Sequence, residues 1–148
     1  MCGINGIVDF SKSVSGKQDL IQNMNNAIAH RGPDYQGQFV APQIAFGHTR
    51  LEIIDLSEAG HQPMKSADGR FILVFNGEIY NFQTLKSQLN DYHFQSNTDS
   101  EVILAGFAKH GKDFISKLEG MFAFAIYDQK EQKVTLARDR SGIKPLYF

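Results

Sequence analysis

A chain of 148 residues with a single cysteine cannot close an internal disulfide. That cysteine and the five histidines show no metal-ligand spacing, so no metal site is expected. An excess of one charge is also missing: fifteen Lys and Arg face sixteen Asp and Glu, a net charge of -1. Such a balance leaves no footprint for nucleic acid or for an anionic membrane surface. No apolar run nears the roughly 20 residues of a membrane helix. The longest clear one is Phe71-Ile-Leu-Val-Phe75. The N-terminus lacks a basic segment followed by an apolar stretch, so no signal peptide is read. A glycine loop that could cradle ATP phosphates is absent, as are repeats and long low-complexity segments. What remains is a cytoplasmic globular protein. Its length suits one domain, and 42% hydrophobic residues, with twelve Phe and five Tyr, can fill a core.

The order of elements follows from hydrophobic spacing and local stop signals. Gly3 to Phe10 reads as a strand broken by Gly6. Ser15-Gly-Lys-Gln18 has the form of a capping box, followed by Leu20, Met24 and Ile28 at helical spacing, until Gly32-Pro33 stops the helix. Short strands are expected at Gly37–Val40 and Ile44–His48, then loops from Asp55 to Gly69. The run Phe71–Phe75 predicts a strand buried on both faces, ending in an Asn76-Gly77 turn. Phe82, Leu85 and Leu89 mark a helix face. Thr98-Asp-Ser-Glu101 caps another helix, which Gly111 ends. A short helix should hold Phe114, Ile115 and Leu118. A hairpin follows, with strands at Met121–Tyr127 and Val134–Ala137, and a last strand at Ile143–Phe148. Helices cluster instead of alternating with strands, which favours antiparallel sheets with helical layers, an α+β class.

Several residues could carry chemistry, and each also has a plain reading. Cys2 is either a small residue at a frayed end or a nucleophile. If Met1 is removed, Cys2 gains an α-amine of pKa near 8 beside a thiol of about 8.5, so one residue holds both nucleophile and base. Gly3 and the strand behind it hold this terminus within the fold. Asn76-Gly77 is a turn dipeptide; an Asn amide and a Gly N–H can equally donate to an oxyanion, and the two readings are compatible. Asp99 complements a helix dipole, and its carboxylate could also bind an ammonium. Arg50 suits either a surface ion pair or a carboxylate held bidentately. His30, His48, His61, His93 and His110 are scattered, and position alone gives none of them a catalytic role.

Together these segments resemble the glutaminase domain of class II glutamine amidotransferases, which are N-terminal-nucleophile enzymes. The likeness is greatest to the amino-terminal domain of glutamine-hydrolysing asparagine synthetases. It rests on Met1-Cys-Gly-Ile4, His30-Arg-Gly-Pro-Asp34, Arg50-Leu51 with Ile54-Asp-Leu-Ser57, and Gly60-His-Gln-Pro-Met64. Phe75-Asn-Gly-Glu-Ile-Tyr-Asn81, Thr98-Asp-Ser-Glu101, Gly120-Met-Phe-Ala-Phe124, and Arg138-Asp-Arg140 with Gly142-Ile-Lys-Pro-Leu-Tyr147 complete it. These stretches span nearly the whole chain in family order.

The resemblance implies a four-layer αββα sandwich of two mainly antiparallel sheets, with one glutaminase domain over residues 1–148. It implies that Cys2 attacks the glutamine amide carbon and that Asn76 and Gly77 hold the oxyanion. Arg50 would bind the substrate α-carboxylate and Asp99, with Glu78, the α-ammonium. Backbone groups of Leu51, Ile53 and Ile54 would line the pocket. No cofactor is implied in this domain; ATP and Mg belong to a synthetase domain, the expected recipient of the ammonia. A homo-oligomer is left open. Thr49-Arg50 stands where many relatives carry two basic residues, and the anchoring Arg remains. The alternative is a catalytically silent module of the same fold that binds glutamine or docks a partner.

Overall fold

The computed structural model describes residues 2–148; the question of Met1 lies outside them. Among the described residues, seven strands form two antiparallel sheets, accompanied by three α-helices. In the first sheet, β1 (Gly3–Val8) and β2 (Tyr35–Ala41) flank β3 (Ile44–Arg50), with Gly3 opposite Thr49 and Tyr35 opposite Arg50. The second sheet runs β4 (Met64–Lys65), β5 (Phe71–Ile79), β6 (Gly120–Asp128) and β7 (Lys133–Arg138).

Side-chain alternation along β5 decides the layering. Ile72 and Val74 face the first sheet and pack with Ile44, Phe46, Ala125 and Tyr127. Phe71, Leu73 and Phe75 face the other way, into a cluster with Phe124 and with α3 (Asp99–His110) and α2 (Phe82–Ser87). That is why the apolar run is continuous: both faces of β5 are covered. On the outer face of the first sheet, Ile21 of α1 (Gln18–Ala27) packs against Ala45 and Val14. The layers are therefore helix, sheet, sheet, helix, the expected αββα sandwich. No helix among the described residues is long and apolar enough to cross a membrane.

Local departures have identifiable causes. Asn76-Gly77 makes no turn: β5 continues to Ile79, because pairing with β6 extends to Ile79 opposite Gly120. Gly6 does not break β1; it stays in register opposite Phe46. Ser15 caps nothing, since α1 starts at Gln18 after Lys17 and no side-chain cap forms there. That helix ends at Ala27, and a 3₁₀ turn at Ala29–Arg31 precedes Gly32. The Thr98 box is half realised. Thr98 Oγ1 accepts from the Glu101 N–H at 3.2 Å, while the Glu101 carboxylate turns to the Gln95 and Ser96 N–H groups. Gly111, at φ 62°, ends α3 in a backbone region that favours glycine. The short helix near Phe114 is a 3₁₀ segment, Gly111–Lys117. Residues Ile143–Phe148 form no strand; the Asp139 carboxylate instead accepts from the Ile143 and Lys144 N–H groups and holds a turn.

Candidate active site

At one end of the sandwich, Cys2, Arg50, Leu51, Gly77, Glu78 and Asp99 converge on one pocket of about 90 Å³. This is well below the roughly 300–1,000 Å³ of clefts for drug-sized ligands, so it suits a small molecule.

Cys2 enters the pocket because Gly3 allows the backbone to come close. A Cβ on Gly3 would lie 2.6 Å from Thr49 Oγ1 and 2.8 Å from Ile28 Cδ1. The Cys2 carbonyl accepts from Arg31 Nε at 3.3 Å. Its sulfur receives the Leu51 N–H at 3.5 Å and lies 3.8 Å from the Leu51 carbonyl. Burial pushes the thiol pKa up, overriding the opposing effects of the Leu51 hydrogen bond and the Arg50 charge. The thiol is thus protonated near neutral pH and needs a base before it can attack.

Arg50 ends β3 and is 5% exposed. Nη1 donates to Glu52 Oε1 and to the Ser57 carbonyl, both at 2.9 Å, and Nη2 donates to the Asp55 carbonyl. A guanidinium has five N–H donors, so these three bonds leave two unused among the described residues. The loop that follows, with Leu51, Ile53 and Ile54, lines the same pocket. It is tied to the start of α3, where Asp55 Oδ2 accepts from the Asn97 N–H at 2.9 Å.

The free edge of β5 supplies the opposite wall. Even-numbered residues of β5 bond toward β6; odd-numbered ones point their N–H and C=O the other way. On that side β4 is only two residues long. Beyond it, the Phe75 N–H donates to Gln62 Oε1 at 2.7 Å and the Ile79 N–H to Asp99 Oδ2 at 2.9 Å. Between them the Gly77 N–H has no partner among the described residues, and Gly77 lines the pocket. Gly77 must lack a side chain, since a Cβ would lie 2.7 Å from Phe122 Cα and collide with the Met121 carbonyl. Asn76 is 5% exposed and does not itself line the pocket. Its Oδ1 is buried without a partner among the described residues.

Asp99 is 5% exposed, at the first residue of α3. Burial raises its carboxyl pKa to about 6; the Ile79 N–H opposes this, and nearby Glu78 adds to it. The Arg50 guanidinium and the carboxyl groups of Asp55, Glu78 and Asp99 thus line one pocket. An ammonium and a carboxylate of a single small molecule would match that polarity.

All the expected site residues except Asn76 line this pocket, and Asn76 adjoins it through Gly77. Others come with them: Asp55, Gly60, Gln62, Phe75, Thr98 and Ser100. Gly60 lies against the Arg50 guanidinium, where a Cβ would collide with Nη2. Gln62 and Gly60 belong to the Gly60-His-Gln-Pro-Met64 segment, whose structural use was not legible from sequence.

Comparison with known proteins adds the family. The glutamine amidotransferase domain family matches residues 1–148. A putative glutamine-hydrolysing asparagine synthetase 2 of Methanocaldococcus jannaschii is 44% identical over 168 residues, covering 100% of this chain and 32% of the relative. Glutamine-hydrolysing asparagine synthetase 1 of Bacillus subtilis is 42% identical over 154 residues, covering 100% of this chain and 24% of the relative. The chain thus spans about a third or less of these curated relatives. Among solved structures, the glutamine phosphoribosylpyrophosphate amidotransferase of B. subtilis, complexed with ADP and GMP, superposes with a TM-score of 0.75. It is 20% identical, with 98% of this chain and 38% of that chain covered, and the likeness is one of fold. The fold, the family match and these identities together place the chain in the glutamine amidotransferase domain family.

Proposed function

We propose that this chain hydrolyses the side-chain amide of L-glutamine and supplies the ammonia to an ATP-dependent, asparagine-synthetase-like amidation. The observation that carries this reading is the Gly77 N–H, unpaired among the described residues, in a pocket that Cys2, Arg50 and Asp99 also line.

Glutamine lies with its α-carboxylate on the free donors of Arg50 and its α-ammonium against Asp99 and Glu78. This places the side-chain amide toward Cys2. With Met1 removed, the Cys2 α-amine takes the thiol proton as the sulfur attacks the amide carbon. The carbonyl oxygen becomes an oxyanion, held by the Gly77 N–H and the Asn76 amide. As the C–N bond breaks, the amine returns its proton to the departing nitrogen, and ammonia leaves a γ-glutamyl thioester. Water then attacks the thioester and gives a proton to the amine. Collapse frees glutamate, and the sulfur recovers its proton. No metal or cofactor enters this half-reaction. The ammonia passes to a synthetase domain or subunit, with aspartate the expected acceptor and the cytoplasm the expected setting.

Intact mass and glutamate release test the reading together. The expected mass lacks Met1, glutamine is converted to glutamate, and Cys2→Ala abolishes turnover without loss of the fold. A folded, processed chain that turns over no glutamine would support the silent binding module instead.

A further inference from the structure

The peptide that precedes the candidate oxyanion donors is held in an unusual way. Phe75 lies on the free edge of β5, where no neighbouring strand satisfies its backbone. Two side chains do so instead. Gln62 Oε1 accepts the Phe75 N–H at 2.7 Å, and His48 Nε2 stands 3.2 Å from the Phe75 carbonyl. A carbonyl only accepts, so Nε2 carries the hydrogen and the neutral ring leaves Nδ1 as a bare acceptor. His48 is 0% exposed, and its Nδ1 is buried without a partner among the described residues. A buried acceptor left bare costs about 1–3 kcal/mol, comparable to or more than the single hydrogen bond at Nε2 contributes. Stability alone does not account for a histidine here.

Its location offers the reason. His48 sits on β3 opposite Ile4 of β1, next to the Thr49–Gly3 pair that sets Cys2 in place. Its ring therefore runs from the sheet carrying the nucleophile to the peptide just before Asn76-Gly77 on the other sheet. We infer that His48 is a positioning residue for the oxyanion hole: its Nε2–H fixes the Phe75 carbonyl, and with it the Gly77 N–H, relative to the Cys2 sulfur. Oxyanion donors act only when held at the position the charge will occupy, so a strut between the sheets would raise kcat and leave substrate binding alone. Burial also holds the ring's pKa at about 4, so the contact stays the same throughout the neutral range.

This assignment rests on the glutaminase reading, and the test separates the two. His48→Leu removes the donor. His48→Gln returns an N–H₂ near the position of Nε2. Steady-state glutamine hydrolysis and the rate of Cys2 alkylation by iodoacetamide are measured for each. The expected result for His48→Leu is a kcat lower by about 10- to 100-fold, with KM and alkylation rate within about threefold of wild type. His48→Gln should recover most of kcat. Should His48→Leu fail to fold, His48→Asn, whose amide is too short to reach Phe75, takes its place. A folded donor-less variant with unchanged kcat overturns the assignment, as does a loss shared equally by KM or alkylation. A wild-type chain that hydrolyses no glutamine removes the reaction itself and the assignment with it.

Discussion

Asp99 carries its carboxyl under opposing influences, and the balance has a measurable pH signature. Burial raises its pKa from 3.8 to about 6, against the pull of the Ile79 N–H. Below 3.8 both folded and unfolded chains hold the proton. Between 3.8 and 6 the unfolded chain releases it first, so stability contributed by this group is lost as pH rises through that window. The loss amounts to at most about 3 kcal/mol, at 1.36 kcal/mol per unit. Asp99→Asn should therefore unfold at higher denaturant concentration than wild type at pH 7, with a flatter stability profile between pH 4 and 6. A ligand ammonium needs the ionised form, so glutamine KM in the wild type should rise below pH 6, by up to about tenfold per unit. In Asp99→Asn, KM should be high throughout and show no such rise. Equilibrium denaturation and initial rates across pH 4 to 8 check both statements.

At the scale of elements, the site is a product of a strand edge left bare. β4 stops after two residues, so β5 has backbone donors that side chains satisfy on either side of Gly77. Sequence periodicity revealed β5 itself, because an apolar run covered on both faces needs no alternation, and it revealed the β6–β7 hairpin. It could not show that Asn76-Gly77 stays in the strand, because the partner that holds it there, Phe122–Ala123, lies some 45 residues away in the chain. The same limit explains why Cys2, Arg50 and Asp99 were found singly by their chemistry, while Gln62, Gly60 and His48 were passed over. Their partners are Phe75 and Arg50, contacts that no local pattern encodes. Gly60 offers a test at this scale. Its missing Cβ leaves room for the end of a flexible Arg50 side chain, which can shift where backbone could not. Gly60→Ala should therefore fold, with thermal stability close to wild type. By displacing the guanidinium it should raise glutamine KM severalfold or more, with kcat little changed. A KM equal to wild type would mean that Arg50 does not hold the substrate carboxylate.

For the molecule as a whole, β1 and β7 are outer strands of the two sheets. A second cavity of about 430 Å³ lies there, lined by Ile4, Val8, Phe46, Val134, Leu136 and the segment ending in Tyr147 and Phe148. Of its lining residues Val8 is 44% exposed, Leu136 43% and Tyr147 92%, so apolar side chains meet water as a group and not singly. Contiguous apolar surface of this kind marks an interaction site or a source of self-association. The cavity shares no lining residue with the candidate active site, so the two can be altered separately. Residues 1–148 produced alone should bind a hydrophobic dye such as ANS while natively folded. Leu136→Lys, on an edge strand where lysine discourages pairing, should lower the dye signal and any concentration-dependent association seen by light scattering. Glutamine hydrolysis should continue at the wild-type rate, because Leu136 pairs with Ala125, two residues along β6 from Ala123, the partner of Asn76, and makes no wall of the pocket. A drop in kcat with no change in dye binding would show the opposite division: an edge that supports catalysis and a surface already satisfied by its own tail.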